Sequence, residues 1–192
     1  ERGTRVTLVR TFEQAELAEA RSLLRMCIPP RGTTLRVNGR GVRRPRLLLA
    51  LSSCELETVV VRDGVERAAT ASATVSIHTP RRGEAPHVFE MGVPVEAWDV
   101  PWHVDVDQRV PLVQGRDGLP ERFKLQLKAT LLETMIHSYL DKHDLRADWV
   151  HDVISRWPVS TSVLDAYVSR AFPRGAVLGG TSRWSRSACS RP

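Results

Sequence analysis

The chain lacks the long apolar run that a membrane-spanning helix needs. No stretch approaches the roughly 20 consecutive apolar residues that cross a bilayer, and the first residues, Glu-Arg-Gly-Thr, contain no apolar core of a signal peptide. We therefore expect no membrane partner and a cytoplasmic location. The chain also has no initiator Met and begins on what reads as the middle of a strand, so we expect a fragment of a longer protein.

Cysteines are few and far apart, namely Cys27, Cys54 and Cys189. Because no CxxC pair occurs, the sequence indicates neither a zinc ribbon nor a disulfide framework. Buried free thiols are the expected state. The sequence also contains no GxxxxGK[ST], GxGxxG, HExxH or GxSxG motif, so the common phosphate loop, dinucleotide, zinc-protease and nucleophile-elbow sites are not indicated.

Acidic residues are missing from two basic segments. Residues 173–192 carry +4 of the net charge of +6, so the rest of the chain carries only +2. Between Pro29 and Leu51 there is no acid but six arginines: Arg31, Arg36, Arg40, Arg43, Arg44 and Arg46. Two interpretations stay open for this segment: a solvated basic hairpin, or a nucleic-acid contact through Arg36, Arg40, Arg43 and Arg44.

The order of patterns along the chain predicts an α+β fold, with a mostly antiparallel sheet covered on one face by helices. Alternation and β-branched residues predict strands at residues 3–10, 33–37, 47–51, 57–62, 71–78, 88–91 and 103–107. Asn38-Gly39 and Asp63-Gly64 predict tight hairpins. Helical periodicity predicts helices at residues 12–26, with Thr11 and Gln14 as a capping box, at residues 121–142, from Asp144 onward, and around Val163.

The segment from His103 to Arg116 combines a strand with a polar loop. His103, Asp105 and Asp107 fall on one face of that strand, which leaves a metal site open as an alternative to a solvated face. Gln108 and Arg109 follow in the loop. Arg109 can fork onto phosphate oxygens and Gln108 can orient water or bind a terminal phosphoryl oxygen, so the loop is a candidate phosphate reader for a neighbouring domain.

Three stretches resemble the GHKL superfamily, named for gyrase, the heat-shock chaperone, histidine kinases and the mismatch-repair ATPase. They are G-T-R-V-T-L at residues 3–8, F-E-M-G-V-P-V at residues 89–95, and W-H-V-D-V-D-Q-R-V-P-L at residues 102–112. Within the superfamily the chain is most similar to a phage and bacterial "ATP-binding protein" group, related to phage lysis-inhibition accessory proteins. The resemblance covers residues 1–145.

The resemblance implies a transducer domain with the fold of the second domain of ribosomal protein S-five. It places Arg109 where the family has a loop lysine that reaches the ATP γ-phosphate, with Gln108 just before it. Arg keeps the charge of that lysine, and Asp107 stands where the group prefers Gly. ATP and Mg are the cofactors implied for a full-length protein, with the N-terminal ATP-binding domain as partner and a homodimer left open. This fragment alone should be inactive as an ATPase, because the superfamily's magnesium-binding, catalytic and adenine-binding residues belong to that other domain.

The predicted domain organisation follows from this resemblance. Residues 1–10 are the last strand of a truncated ATP-binding domain, and residues 11–143 are the transducer-like α+β domain. Residues 144–172 are a helical C-terminal segment, and residues 173–192 are a basic tail that we expect to be disordered.

Overall fold

The computed structural model describes residues 7, 9, 11–113 and 118–172. The helices are α1 (Gln14–Met26), α2 (Glu121–Met135), α3 (Asp148–Arg156) and α4 (Thr161–Ala171), with a 3-10 turn at Asp144–Arg146. The strands are β1 (Arg36–Val37), β2 (Arg40–Gly41), β3 (Arg46–Arg62), β4 (Val65–Thr79), β5 (His87–Glu90), β6 (Val93–Ala97) and β7 (His103–Val106). These elements confirm the predicted α+β class. No helix among the described residues is both long and apolar enough to cross a membrane.

Five strands form the main sheet, in the order β3-β4-β7-β5-β6, and β1 pairs with β2 as a separate hairpin. Neighbours in the main sheet are antiparallel except β5 and β7, which are parallel. The sheet is therefore mostly antiparallel, as predicted, and β7 lies at its centre with the polar loop at its end.

Three tight turns depend on left-handed backbone. Asn38-Gly39 and Asp63-Gly64 both have two consecutive positive φ angles, which confirms the two predicted hairpins. Met91-Gly92 makes a third turn of the same kind between β5 and β6. Only glycine fits at Gly92, because a Cβ there would collide with the carbonyl oxygen of Ile28.

Several predicted boundaries were wrong. Helix α1 begins at Gln14 instead of residue 12, and its capping box is formed by Glu13 and Glu16 instead of Thr11 and Gln14. The two strands predicted at 47–51 and 57–62 are one long strand, β3, with an irregularity in its register at Ser53.

The predicted C-terminal end of α2, the longest helix, was also wrong. It stops at Met135 instead of residue 142, so Tyr139 lies beyond it and is exposed. The helix predicted from Asp144 begins at Asp148, after the 3-10 turn. Of the strand predicted at residues 3–10, the structure describes Thr7 and Val9, which belong to no strand. The predicted tail at residues 173–192 lies outside the described residues.

Register divides the main sheet into an apolar and a polar face. Paired residues on the first face are fully buried hydrophobic side chains: Val75, Ile77, Val88, Val104 and Val106. Helix α2 lies over this face, because its Gln126 hydrogen bonds to the β3 backbone while its Lys124 reaches Glu96 of β6. The other face carries the polar series Ser76, His78, His103 and Asp105. The end of α1 approaches that face, where Met26 and Ile28 pack on Phe89.

The chain divides into two compact units, Glu1–Thr130 and Leu131–Pro192. The second unit has its own buried side chains, including Met135, Leu145, Trp149, Val153 and Val163. Within it, the guanidinium of Arg170 on α4 donates to the carbonyl oxygens of Ile136 and Leu140. These bonds tie α4 to the segment that follows α2.

Candidate functional site

The loop after β7 is held by side-chain hydrogen bonds on both sides. The hydroxyl of Thr58 on β3 donates to the carbonyl oxygen of Arg109 at 2.7 Å. The backbone N–H of Val110 donates to the carboxylate of Glu90 on β5 at 2.8 Å. The position of the Arg109 backbone is therefore determined by strands on both sides of the loop.

The Arg109 guanidinium is accessible, unlike its backbone. The side chain is 44% exposed and forms an ion pair at 3.0 Å with Glu66, which is itself 53% exposed. An exposed pair of this kind contributes about 1 kcal/mol or less. A phosphate dianion, which offers more charge and several oxygens, can compete with Glu66 for the guanidinium.

Gln108 faces the sheet backbone. Its side-chain amide donates to the carbonyl oxygen of Glu57 at 3.4 Å, and the residue is half-buried. The N–H of the same Glu57 donates to the side-chain oxygen of Gln126 on α2 at 3.3 Å. Residue 57 of β3 thus connects the loop to α2 through two amide side chains.

The four hairpin arginines predicted for nucleic acid are exposed but do not share one site. Arg44 donates to the carbonyl oxygen of Pro29 and lines a polar cavity of about 300 Å³ that also contains Asp105 and Asp107. A second cavity, of about 390 Å³, is lined by Arg40 and Arg43. Arg36 lines neither cavity.

A partly buried network of charged and polar side chains beside the polar face was not predicted from the sequence. The Arg81 guanidinium donates to Glu84 at 2.8 Å, and the other oxygen of that carboxylate lies 3.3 Å from Nε2 of His103. Burial by itself raises the pKa of Glu84, but hydrogen bonds from Arg81 and His103 outweigh it, so the pKa lies below its usual value. The sequence predicts only a turn at residues 80–84. The one signal for the network is the group of three charged residues, Arg81, Arg82 and Glu84, between two strands.

His103 belongs to this network as a neutral imidazole. Burial lowers the pKa of His103 below its usual value, against the opposing effect of Glu84. Its Nδ1 accepts the backbone N–H of His87 at 3.1 Å, so the neutral ring carries its proton on Nε2, facing Glu84. Both ring nitrogens are occupied, and neither is left for a metal.

Asp105, on the same strand face as His103, does not support a metal site either. Asp105 accepts the N–H of Gly92 at 2.7 Å, and burial raises the pKa of the Asp105 carboxyl. In the part of the chain that the structure describes, the metal-ligating side chains that converge are instead Asp141, His143 and Asp144. Their carboxylates accept backbone N–H groups of the turn itself, which is the ordinary role of aspartates at such a position.

His78 is the cross-strand neighbour of His103 and is fully buried. Neither of its ring nitrogens makes a hydrogen bond of normal geometry among the described residues. Burial lowers the pKa of His78 to about 4; Arg44 acts in the same direction, and the Pro45 backbone opposes the shift in part. The sequence gives no signal that His78 is buried, because its burial depends on which residues cover the strand.

Comparisons of the chain with protein-family models, with curated proteins and with solved structures found no match.

Proposed function

We propose that this chain is a transducer-like domain of a GHKL-type ATPase, in which Arg109 contacts the terminal phosphate of ATP held by an N-terminal ATP-binding domain. The observation that carries the proposal is the exposed guanidinium of Arg109 on a loop whose backbone is held by Thr58 and Glu90. A positioned cation of this kind can stabilise charge on a transferring phosphoryl group. The resemblance of residues 102–112 to the family's loop supports the same role.

Glu66 acts as the resting partner of Arg109 in this proposal. Without nucleotide, the guanidinium pairs with Glu66 at 3.0 Å. When an ATP-binding domain presents its γ-phosphate, Arg109 exchanges the carboxylate for phosphate oxygens. The loss of an exposed ion pair is small, about 1 kcal/mol or less, so the exchange depends mainly on the geometry of the approach.

The structure of β3 supports a route for relaying that contact. Gln108, next to Arg109, donates to the carbonyl of residue 57, and the N–H of residue 57 donates to Gln126 of α2. Movement of the loop therefore changes the hydrogen bonding of α2. In the proposed full-length protein, ATP and Mg occupy the ATP-binding domain, the protein works in the cytoplasm, and closure on nucleotide is relayed through α2, with a homodimer as one arrangement.

The test is made in the longer protein that carries the ATP-binding domain. Arg109→Ala is expected to lower the ATP turnover number on the order of 100-fold, as loss of one charge-stabilising donor does. Arg109→Lys, which keeps the charge and matches the family's residue, is expected to retain most of the activity. Glu66→Gln should not lower activity, because it removes only the resting partner.

Arg36→Ala is the matched control. Arg36 is also an exposed arginine of the same unit, but it belongs to the β1–β2 hairpin and not to the loop, β3 or α2. Its removal should leave turnover within about twofold, because it lies outside the proposed relay. If Arg109→Ala and Arg36→Ala turn over ATP equally well, Arg109 has no phosphate-sensing role and the proposal is wrong.

A further inference from the structure

Three elements of the first unit meet around a groove rich in arginine. The C-terminal end of α1, the β1–β2 hairpin and the turn between β4 and β5 surround a cavity of about 390 Å³. Its charged lining residues are Arg25, Arg40, Arg43, Arg81 and Glu84. Four guanidinium groups and one carboxylate therefore share this space.

Arg81 holds these elements together. Its guanidinium donates to the Glu84 carboxylate at 2.8 Å, to the carbonyl oxygen of Arg43 in the hairpin, and at 3.4 Å to the carbonyl oxygen of Arg25 at the end of α1. The charges of Arg81 and Glu84 cancel. The positive charges of the other arginines in the groove are therefore not balanced by a carboxylate of its lining.

The other three guanidinium groups are free to bind. In the part of the chain that the structure describes, the side chains of Arg25, Arg40 and Arg43 have no ion pair and no hydrogen-bond partner, and all three residues are exposed. They come from two different elements and line one concave surface. Such a surface concentrates positive potential more strongly than the same charges spread over a convex surface.

The groove continues along α1. A second cavity of about 700 Å³ shares Arg25 and Glu84 with it and extends beside the helix to Ala18, adding Arg21 and Glu19. Residues 18–25 of a helix rise about 10 Å, which equals about three base-pair steps along the axis of a duplex. The two cavities together, the basic trench, are long enough for a polymer of phosphates.

We propose that the basic trench binds the sugar–phosphate backbone of a nucleic acid without reading its sequence. The proposal uses none of the residues assigned to ATP sensing and does not rest on that function. Among the described residues that line the trench there is no Asn or Gln for amide contacts to adenine and, apart from His87, no aromatic ring on which a base could stack. Guanidinium groups are well suited to phosphate oxygens, and phosphate contacts position a nucleic acid without specifying it.

The trench replaces the hairpin as the predicted binding surface. Arg40 and Arg43 belong to it, whereas Arg36 does not line it and Arg44 lines the separate cavity with two aspartates. Arg21 and Arg25 of α1 are added to the site, and no sequence pattern groups them with the hairpin.

The experiment measures binding of the whole chain to fluorescently labelled oligonucleotides by anisotropy across a salt series. The triple variant R25Q/R40Q/R43Q is compared with R62Q/R67Q/R122Q, which removes the same charge from exposed arginines outside the trench. The trench variant should bind a duplex on the order of 100-fold more weakly and lower the slope of log K against log salt by about 2.7, from 0.9 for each phosphate contact. Duplexes of different sequence should bind alike, and the control should keep most of the wild-type slope.

Each alternative result overturns the proposal. Equal losses of affinity in both triple variants would show that net charge alone drives binding. The arginines of residues 173–192 are present in every variant, so they cannot explain a difference in affinity between the two triple variants. Binding to anionic vesicles or to an acidic peptide, but not to nucleic acid, would assign the trench to another ligand. Far-ultraviolet circular dichroism checks folding; if the triple variant fails to fold, the single Arg40→Gln change in the exposed hairpin must still lower the slope by about 0.9.

Discussion

Acidification should destabilise this protein through His78. In the folded chain this imidazole is fully buried, its nitrogens make no hydrogen bond of normal geometry among the described residues, and its pKa is lowered from 6.5 to about 4. The unfolded chain, with an ordinary pKa, takes up the proton first. The contribution of neutral His78 to stability is therefore complete above about pH 6.5 and is lost as pH falls towards 4.

The size of this effect follows from the difference between the two pKa values. The lowering of the His78 pKa from 6.5 to about 4 corresponds to about 3 kcal/mol when the transition is complete, at 1.36 kcal/mol for each pKa unit. At about pH 4.5 most of it, on the order of 2 kcal/mol, should already be lost. His103, whose pKa is also lowered by burial, adds a loss in the same direction.

The assay is urea unfolding followed by far-ultraviolet circular dichroism from about pH 7 to 4.5, with hydrogen exchange of β4 to report on the sheet itself. His78→Leu should reduce the loss of stability on acidification by about 2 kcal/mol and leave stability at neutral pH unchanged or slightly higher, because Leu fills a similar volume without unpaired nitrogens. His137→Leu, at an exposed position, leaves His78 in place and should keep the wild-type dependence. If His78→Leu loses as much stability on acidification as the wild type, the burial argument is refuted.

Two further predictions concern backbone positions and carbonyl capping. Gly92→Ala should destabilise the protein by about 3 kcal/mol or more, because a Cβ there combines positive φ with a collision with Ile28. Gly64→Ala, which has positive φ but open space around it, should cost only about 1 kcal/mol. Equal costs in urea unfolding would show that the collision contributes nothing. Arg170→Ala should cost about 1–3 kcal/mol by leaving two carbonyls without their donor, against about 0.5 kcal/mol or less for Arg156→Ala, an exposed pair within α3. Thermal unfolding of the two variants decides this, and a similar Tm would contradict it.

The sequence shows only part of what holds the predicted site residues in place. Arg109 and Gln108 are candidates because a strand runs into a polar loop, and the structure contains both that strand and that loop. Their partners were not predictable, because Glu66 lies 43 residues and the residue 57 carbonyl 51 residues away in sequence. Ion pairs and hydrogen bonds over such separations depend on how β3, β4 and β7 align, and no local pattern encodes that alignment.

The sequence alone determined what depends on neighbouring residues. The turns at Asn38-Gly39 and Asp63-Gly64 follow from residues that tolerate positive φ, and the apolar stripe of α2 follows from helical periodicity. The order of helices and strands, and with it the α+β class, followed from such local patterns.

Only the tertiary structure decided which charged groups share a site. It joined arginines 25, 40, 43 and 81 in one trench and separated Arg44 from them, although Arg43 and Arg44 are adjacent in sequence. It also buried His78 beside His103 by pairing β4 with β7. The physical reason is that burial, potential and hydrogen bonding depend on which surfaces meet in space, which is set by strand register and by how the end of α1 and the hairpin pack near the sheet.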